Sequence, residues 1–184
     1  MGNRLIILDA ADIDRIITRM AYEILETHKG TDNLALLGIQ TRGVFLAKRI
    51  QAAIFKAEGS KVPTGDMDIT LYRDDWTRIS SNPVVKATDI PFSIDRKQIV
   101  IVDDVLFTGR TIRSAMDAVI DFGRPDRIEL AVLVDRGFRE LPIQADYVGK
   151  FIKTNRSERV NVLLVENDSE DLIVIEQGES HGNP

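Results

Sequence analysis

The chain has 184 residues, of which 43% are hydrophobic and 29% are charged, a composition typical of one soluble globular domain. The absence of cysteine excludes disulfides, thiol catalysis and cysteine-bound metals, and two isolated histidines argue against structural zinc. A net charge of −5 argues against non-specific coating of nucleic acid, although it leaves room for a local basic face. No apolar run approaches the ~20 residues of a membrane span and no signal peptide is recognisable, so we expect a cytoplasmic protein.

The first predicted element is a helix that begins at Asp9 and ends near Gly30. Apolar residues recur along it at helical spacing, as at Ile13, Ile17 and Met20. This spacing predicts an amphipathic helix with one buried face.

The next predicted strand, Leu34 to Ile39, ends in the turn Gln40-Thr41-Arg42-Gly43. A helix from about Val44 to Lys56 and a strand from Met67 to Tyr72 should follow. An arginine fork and exposed backbone amides suit a pyrophosphate, which presents several oxygens at once. Taken alone, a surface arginine after a strand is the more common explanation of such a turn.

Residues 72–92 show no persistent hydrophobic period and contain Pro83, Pro91 and several charges. A segment of this length without secondary structure is typical of an active-site lid, and the alternative is a solvated loop. As a lid, it would bring Arg73, together with Arg78 or Lys86, over a reactive ligand and exclude water.

The most informative motif is Ile99 to Thr111, with the sequence IVIVDDVLFTGRT. It predicts a strand over Gln98 to Asp103, a turn and a helix N-terminus, whose amides and hydroxyls can hold a phosphate. Asp103 and Asp104 would each oppose a phosphate charge ~7 Å away by about 2 kcal/mol at an effective dielectric near 20. A ribose 5-phosphate explains the acids, because its hydroxyls need acceptors, and a divalent metal would suit them too. The alternative is an ordinary strand-to-helix turn of an α/β fold that binds no ligand, with an acid or a threonine as the helix cap.

The remaining predicted elements are a helix and four strands. The helix is Arg110 to Phe122, and the strands are Arg127 to Val134, Asp146 to Ile152, Val160 to Val165 and Leu172 to Ile175. Residues 177–184 look frayed.

The order of these elements predicts an α/β fold, with a parallel twisted sheet flanked by helices, in a single domain over residues 1–184. The later strands lack intervening helices and predict a small antiparallel hood or flap. The turns after Ile39, Asp103 and Val134 should meet at the carboxyl edge of the sheet, where such folds bind ligands.

The motif Ile99 to Thr111 resembles the phosphoribosyl pyrophosphate (PRPP) motif of the type I phosphoribosyltransferases. The resemblance implies that Asp103 and Asp104 hold the ribose hydroxyls. It also implies a 5-phosphate on the following loop, which comprises Val105, Leu106, Phe107, Thr108, Gly109, Arg110 and Thr111.

Two other segments share this resemblance. The turn at Thr41 and Arg42 resembles the family's pyrophosphate loop, where a strained peptide between these residues presents its amide to the ligand. Residues 72–92 match the family's flexible catalytic loop in placement and length. The implied catalytic residues are Asp104, Arg73 and Arg42.

Residues 134–150 and the loop of Arg73 resemble, more specifically, the pyrimidine-operon attenuation regulators, which double as uracil phosphoribosyltransferases. This resemblance extends from Leu8 to about Glu176. It implies that a hood segment, residues 135–159, covers the base. The candidate base contacts are Val134, Asp135, Arg136, Tyr147 and Val148; from the pattern alone, a core aromatic and a polar turn explain this segment about as well.

That family also binds a hairpin in the leader mRNA of the pyrimidine operon, more tightly when uridine nucleotides are present. The polar face of the first helix carries Arg15, Thr18, Arg19 and Tyr22. Arginines can contact phosphates and a tyrosine can stack on a base, whereas the alternative is a solvated face diluted by acids. The family usually carries His in place of Tyr22 and Arg in place of Gln144.

Together these resemblances predict an enzyme that converts uracil and PRPP to UMP and pyrophosphate. Mg²⁺ should arrive with PRPP, with Asp103 and Asp104 as candidate protein contacts. The family further implies a UMP- or UTP-responsive regulator of transcription, built as a homodimer or homotetramer. A nucleotide sensor that only binds RNA and a purine salvage transferase remain open as alternatives, and no residue stands out as a general base.

Overall fold

The computed structural model describes residues 4–72 and 88–177. Within them, a parallel sheet has the spatial order β3-β2-β4-β5-β6, with strands β2 (Leu34–Ile39), β3 (Thr64–Met67), β4 (Gln98–Leu106), β5 (Arg127–Asp135) and β6 (Tyr147–Phe151). A smaller antiparallel sheet has the order β1-β8-β7, with strands β1 (Arg4–Leu8), β7 (Glu158–Leu163) and β8 (Leu172–Gln177). The helices are α1 (Ala10–His28), α2 (Arg42–Glu58), α3 (Arg110–Phe122) and the short α4 (Val165–Asp168).

Helices cover both faces of the parallel sheet, as the sequence predicts. On one face, α1 and α2 pack against alternate strand residues such as Leu36 and Val102. On the other face, α3 packs against the intervening residues, such as Leu37 and Ile101. The central strands are therefore buried on both sides, which explains why their sequences are continuous apolar runs.

The ends of two helices agree closely with the prediction. Helix α1 is capped by Asp9, whose carboxylate accepts a hydrogen bond from the amide of Asp12 at 2.9 Å. Helix α3 spans the predicted range and lies between Gly109 and Gly123. Helix α2 begins at Arg42, two residues earlier than predicted, so the Thr41–Arg42 turn leads directly into its first turn.

The predicted strand Met67 to Tyr72 is wrong, because the chain leaves the sheet at Asp68. The carboxylate of Asp68 accepts hydrogen bonds from the amide and the hydroxyl of Thr70, at 2.8 and 2.5 Å. Such local side-chain bonds favour a turn over a strand, and residues Thr70–Tyr72 form a 3-10 turn.

The predicted small antiparallel flap is confirmed, but the expectation that the later strands form it is wrong for the strand Asp146 to Ile152. Strands β5 and β6 run parallel in the main sheet, and only β7 and β8 pair antiparallel, together with the unpredicted β1. The crossover between β5 and β6 needs no helix, because Ile143 and Ala145 of the connecting segment pack against the sheet face themselves.

Parts of the predicted domain organisation lie outside the described residues. The lid, residues 72–92, falls mostly there, and so does the tail after Gln177. The single domain and the hood segment 135–159 stay predictions. No helix within residues 4–72 or 88–177 has the length and apolar character needed to cross a bilayer.

Candidate active site

The candidate active site is a cleft at the carboxyl edge of the parallel sheet. In the strand register, Gly38 lies opposite Val102, and Asp103 lies opposite Val132. The turns after β2 and β4 therefore meet, as predicted, around a cleft of about 400 Å³. Its lining residues are Ile39, Gln40, Thr41, Arg42, Asp68, Ile69, Thr70, Asp103, Asp104, Val105 and Thr111.

The acid pair lies within strand β4, which continues to Leu106. Asp103 is only 7% exposed, and its carboxylate accepts a hydrogen bond from the amide of Asp104 at 2.9 Å. The carboxylate of Asp104 accepts from the amide of Val105 at 2.8 Å. Burial raises the pKa of Asp103 well above its ordinary value, and the nearby charge of Asp104 raises it further. Two acids kept in so costly a place indicate a ligand that needs acceptors there.

Burial also raises the pKa of Asp104, but several features oppose this rise. The two largest are the hydrogen bond from the amide of Val105 and the positive charge of Arg42. Asp104 therefore lies in a more polar setting than Asp103, at the wall that the Thr41–Arg42 turn shares with β4. It is the better placed of the two acids to face a cationic or hydroxyl-bearing ligand.

The residues present fit a divalent cation that arrives on a ligand. Three aspartates, Asp68, Asp103 and Asp104, line one cleft, and hard cations such as Mg²⁺ prefer oxygen ligands. Within the described part of the chain, no group of three or more His, Cys, Asp or Glu side chains could hold a metal ion. The donor set therefore suits a metal shared with a polyphosphate, and it does not suit a dedicated protein cage.

The predicted phosphate loop leads from β4 into helix α3. Gly109 is the N-cap of α3, with a φ of 92°, and a glycine has no side chain with which to cap the first amides. Those amides are thus suited to an anion, which the helix dipole also favours. Thr111 lines the cleft, whereas Leu106 is buried in the core and Phe107 packs under the guanidinium of Arg136.

The Thr41–Arg42 turn lines the same cleft. The peptide bond with unusual geometry is Gln40–Thr41, which is cis, and so it precedes Thr41 instead of following it as predicted. The guanidinium of Arg42 donates two hydrogen bonds to Asp168, from Nε at 3.0 Å and from Nη2 at 2.7 Å. These bonds raise the pKa of Arg42 and lower the pKa of Asp168 to about 2. Arg42 thus joins the cleft to helix α4, a contact that the sequence did not predict.

The base-binding residues predicted from the sequence are only partly brought together. A second cleft, of about 750 Å³, is lined by Asp135 and Arg136 together with Gly137, Arg139, Leu141, Pro142, Ile143, Gln144, Phe151, Ile152 and Lys153. Val134 is buried in the core, and Val148 packs against the sheet face that α3 covers.

The placement of Tyr147 corrects the prediction that it covers a base. Tyr147 opens β6 opposite Ala131, so it lies well before the carboxyl edge, where Phe151 pairs with Asp135. Its hydroxyl donates to the carboxylate of Glu129 at 3.3 Å, and burial raises its pKa to about 12. Of the residues in the second cleft that were not predicted as base contacts, Phe151 and Ile152 can be located only by counting along the strand register.

The predicted RNA-binding residues lie together on α1, but nearby acids partly neutralise the positive charges of the two arginines. Arg15 pairs with Asp12 at 2.5 Å. Arg19 pairs with Glu23 at 2.6 Å and donates to the carbonyl of Gly149 at 2.6 Å. Thr18 is exposed, and Tyr22 is 58% exposed. Arg73, the predicted catalytic residue of the lid, lies outside the described residues.

Comparison with known proteins agrees with this architecture. A family model described as a phosphoribosyl transferase domain matches residues 4–164. Among solved structures, the hypoxanthine phosphoribosyltransferase of Trypanosoma cruzi superposes with a TM-score of 0.72 at 20% identity, covering 95% of this chain and 97% of that one. At this identity the likeness shows the fold alone.

Curated relatives are much closer in sequence. The chain is 56% identical over 176 residues to the bifunctional protein PyrR of Desulfosudis oleivorans, covering 95% of this chain and 97% of the relative. It is 54% identical over 183 residues to the bifunctional protein PyrR of Listeria monocytogenes, covering 97% of this chain and all of the relative. The chain therefore belongs to the PyrR family of phosphoribosyl transferase domain proteins.

Proposed function

We propose that this protein transfers the 5-phosphoribosyl group of PRPP to N1 of uracil, which forms UMP and releases pyrophosphate. The observation that carries the proposal is the single cleft in which the acid pair, the N-terminus of α3 and the Thr41–Arg42 turn converge. The cleft offers acceptors for a ribose between two places for phosphate. The shared name of the relatives, bifunctional protein PyrR, supports an enzyme that has a second activity.

Different residues of the cleft bind different parts of the donor, PRPP. Asp103 and Asp104 accept hydrogen bonds from the ribose hydroxyls, and the amides of residues 108–111 hold the 5-phosphate. The turn at Thr41 receives the pyrophosphate through its backbone amides. Substitution at C1 proceeds through an oxocarbenium-like state, so the fixed negative charge of Asp104 stabilises the positive charge that develops on the sugar.

Two further components complete the proposal. Asp103 and Asp104 would contact a Mg²⁺ ion bound with PRPP, and the ion would supply charge neutralisation for the departing pyrophosphate. Arg73 of the lid covers the pyrophosphate and excludes water, which protects the reactive donor from hydrolysis. Base recognition belongs to the second cleft, where Asp135 and Arg136 lie beside Phe151.

A UMP-formation assay with Asp104→Asn tests the enzymatic role. The loss of charge-assisted hydrogen bonds, each worth about 1.5–3 kcal/mol, should lower kcat/KM for PRPP by roughly 10- to 100-fold. Asp117→Asn is the matched control, because Asp117 is an exposed partner of Arg113 on α3 and should leave the kinetics unchanged. Full activity in Asp104→Asn would remove this residue from the proposed mechanism.

We further propose that the protein regulates a pyrimidine operon by binding its leader mRNA in a UMP- or UTP-responsive manner. The second activity in the relatives' name supports this, and so does the exposure of Thr18 and Tyr22 beside Arg15 and Arg19 on α1. Stacking on Tyr22 and phosphate contacts from the arginines would hold the RNA. A cytoplasmic homodimer or homotetramer suits both activities, and sedimentation analysis would test the assembly.

The RNA proposal is tested by titrating a pyrimidine-leader hairpin with UMP present. Tyr22→Ala should weaken binding by about 1–3 kcal/mol through lost stacking, whereas the exposed Glu26→Gln on the same helix should not weaken it. Arg15→Ala should reduce the slope of log affinity against log salt by about one. No binding at low salt would refute the RNA activity and leave the transferase proposal standing.

A further inference from the structure

The segment after β5 is built directly on the predicted phosphate loop. The amides of Glu140 and Leu141 both donate to the carbonyl of Thr108, at 2.9 and 3.2 Å. The amide of Arg136 donates to the carbonyl of Leu106 at 3.1 Å. The wall of the base cleft and the loop assigned to the 5-phosphate are therefore hydrogen-bonded to each other along their backbones.

The side chain of Arg139 is hydrogen-bonded to both the phosphate loop and the base segment. The guanidinium of Arg139 donates from Nη1 to the carbonyl of Phe107 at 2.9 Å, which lies in the phosphate loop. It donates from Nε to the carbonyl of Ile143 at 3.0 Å, and from Nη1 to the carbonyl of Gly137 at 3.1 Å, both in the base segment. It also pairs with the carboxylate of Asp135 at the end of β5.

Packing reinforces these bonds. The guanidinium carbon of Arg136 lies 4.1 Å from the ring centroid of Phe107. A Cβ atom on Gly109 would lie 3.3 Å from the side chain of Ile143 and 3.5 Å from that of Leu141. The two segments thus meet through side chains as well as backbone, which leaves little freedom for one to shift against the other.

We propose that Arg139 is a positioning residue that fixes the phosphate loop relative to the base segment, so that the site selects a base and a 5-phosphate joined in one nucleotide. The inference deepens the proposed function and rests on it. A planar fork with several donors can hold the four acceptors at once, whereas a lysine ammonium cannot reproduce that geometry. Without the fork, each half of the site keeps its own fragment but loses its alignment with the other half.

Equilibrium binding of three ligands tests the proposal: UMP and its two fragments, ribose 5-phosphate and uracil. The joined-ligand advantage is the product of the two fragment Kd values divided by the Kd of UMP, because a linked ligand binds its second half intramolecularly. In Arg139→Lys this ratio should fall at least tenfold. In Arg113→Lys, the exposed arginine on α3 that pairs with Asp117, it should stay within twofold of the wild type.

A folding defect would lower the number of binding sites without changing this ratio. An unchanged ratio in Arg139→Lys would therefore overturn the proposal. If that variant fails to fold, Asp135→Asn removes the charge of one anchor of Arg139 and should lower the ratio about threefold, and no change there would overturn the proposal. If wild-type protein binds ribose 5-phosphate but not UMP, both this inference and the proposed function fail.

Discussion

Gly38→Ala should push helix α2 away from strand β2 at the turn that we assign to pyrophosphate. A Cβ atom at this position would lie 2.5 Å from the Cα of Val44, 2.6 Å from the carbonyl oxygen of Gly43 and 2.7 Å from the amide nitrogen of Val44. All three are backbone atoms, so no side chain can swing away. Raising 2.5 Å to the 3.0 Å limit of real Cβ contacts requires a shift of 0.5 Å, and ordinary contact at 3.4 Å requires 0.9 Å.

Two consequences follow for the variant. Overpacking of this kind costs about 1–3 kcal/mol of unfolding free energy. Because a displacement of about 1 Å in a catalytic site can cost roughly 100-fold in rate, kcat/KM for PRPP should fall by about 10- to 100-fold. Urea unfolding and initial rates of UMP formation at varied PRPP measure the two quantities separately.

Gly59→Ala at the other end of α2 is the control. Gly59 has a φ of 70°, and a Cβ atom there would meet no atom of the described chain within 4 Å. Its left-handed conformation should cost about 1 kcal/mol of stability while KM for PRPP stays unchanged. If Gly38→Ala is no less stable than Gly59→Ala and keeps wild-type kinetics, the assignment of this helix end to the PRPP site is refuted.

Three further substitutions test individual groups. Asp103→Asn should stabilise the free protein at pH 8 while it lowers activity, because the pKa of this buried acid is raised and its charge opposes folding above the ordinary pKa of 3.8. Tyr147→Phe should cost about 1 kcal/mol, through the lost bond to Glu129, with KM for uracil unchanged. Asp168→Asn should cost about 1 kcal/mol at pH 7, since the Arg42 guanidinium lowers the pKa of Asp168 to about 2. Most of that cost should be lost as the pH falls from about 4 to about 2, because the wild-type carboxylate then becomes protonated in the folded protein too.

Chemical unfolding monitored at several pH values checks all three substitutions. If Asp103→Asn is less stable than the wild type, the carboxylate of Asp103 stabilises the folded protein, and the argument that it is kept for the ligand fails. A changed KM for uracil in Tyr147→Phe would return this residue to the base site. A difference between wild type and Asp168→Asn that is constant from pH 7 to pH 2 would exclude the ion pair with Arg42 as its source.

Hydrophobic periodicity accounts for what could be predicted of the fold. It predicts α1, β2 and α3 with accurate limits, because each has one strong pattern, which in the two helices is bounded by a cap or a glycine. Met67 to Tyr72 also alternates, but the hydrogen bonds that Thr70 donates to Asp68 turn the chain there, and hydrophobic periodicity carries no information about such bonds. The parallel pairing of β6 depends on packing of the β5–β6 crossover against the sheet, which no local signal reveals.

The candidate site likewise has features that a local sequence pattern predicts and features that depend on tertiary structure. The acid pair and the glycine at the start of α3 belong to one contiguous motif, so their meeting follows from strand, turn and helix alone. Contacts between distant segments, such as that of Arg42 with Asp168 and that of Arg139 with Phe107, depend on tertiary structure. The sequence pattern alone does not place Tyr147, because an aromatic residue after a turn can face either the ligand or the core, and only the strand register decides between them.

The most direct test of the central claim is a rate comparison with PRPP and Mg²⁺ against uracil, hypoxanthine, guanine and orotate. Initial rates of nucleotide formation should be high with uracil, with stoichiometric release of pyrophosphate, and near background with the other three bases. Faster turnover of hypoxanthine or guanine than of uracil would contradict the proposed function, and so would the absence of turnover with all four bases.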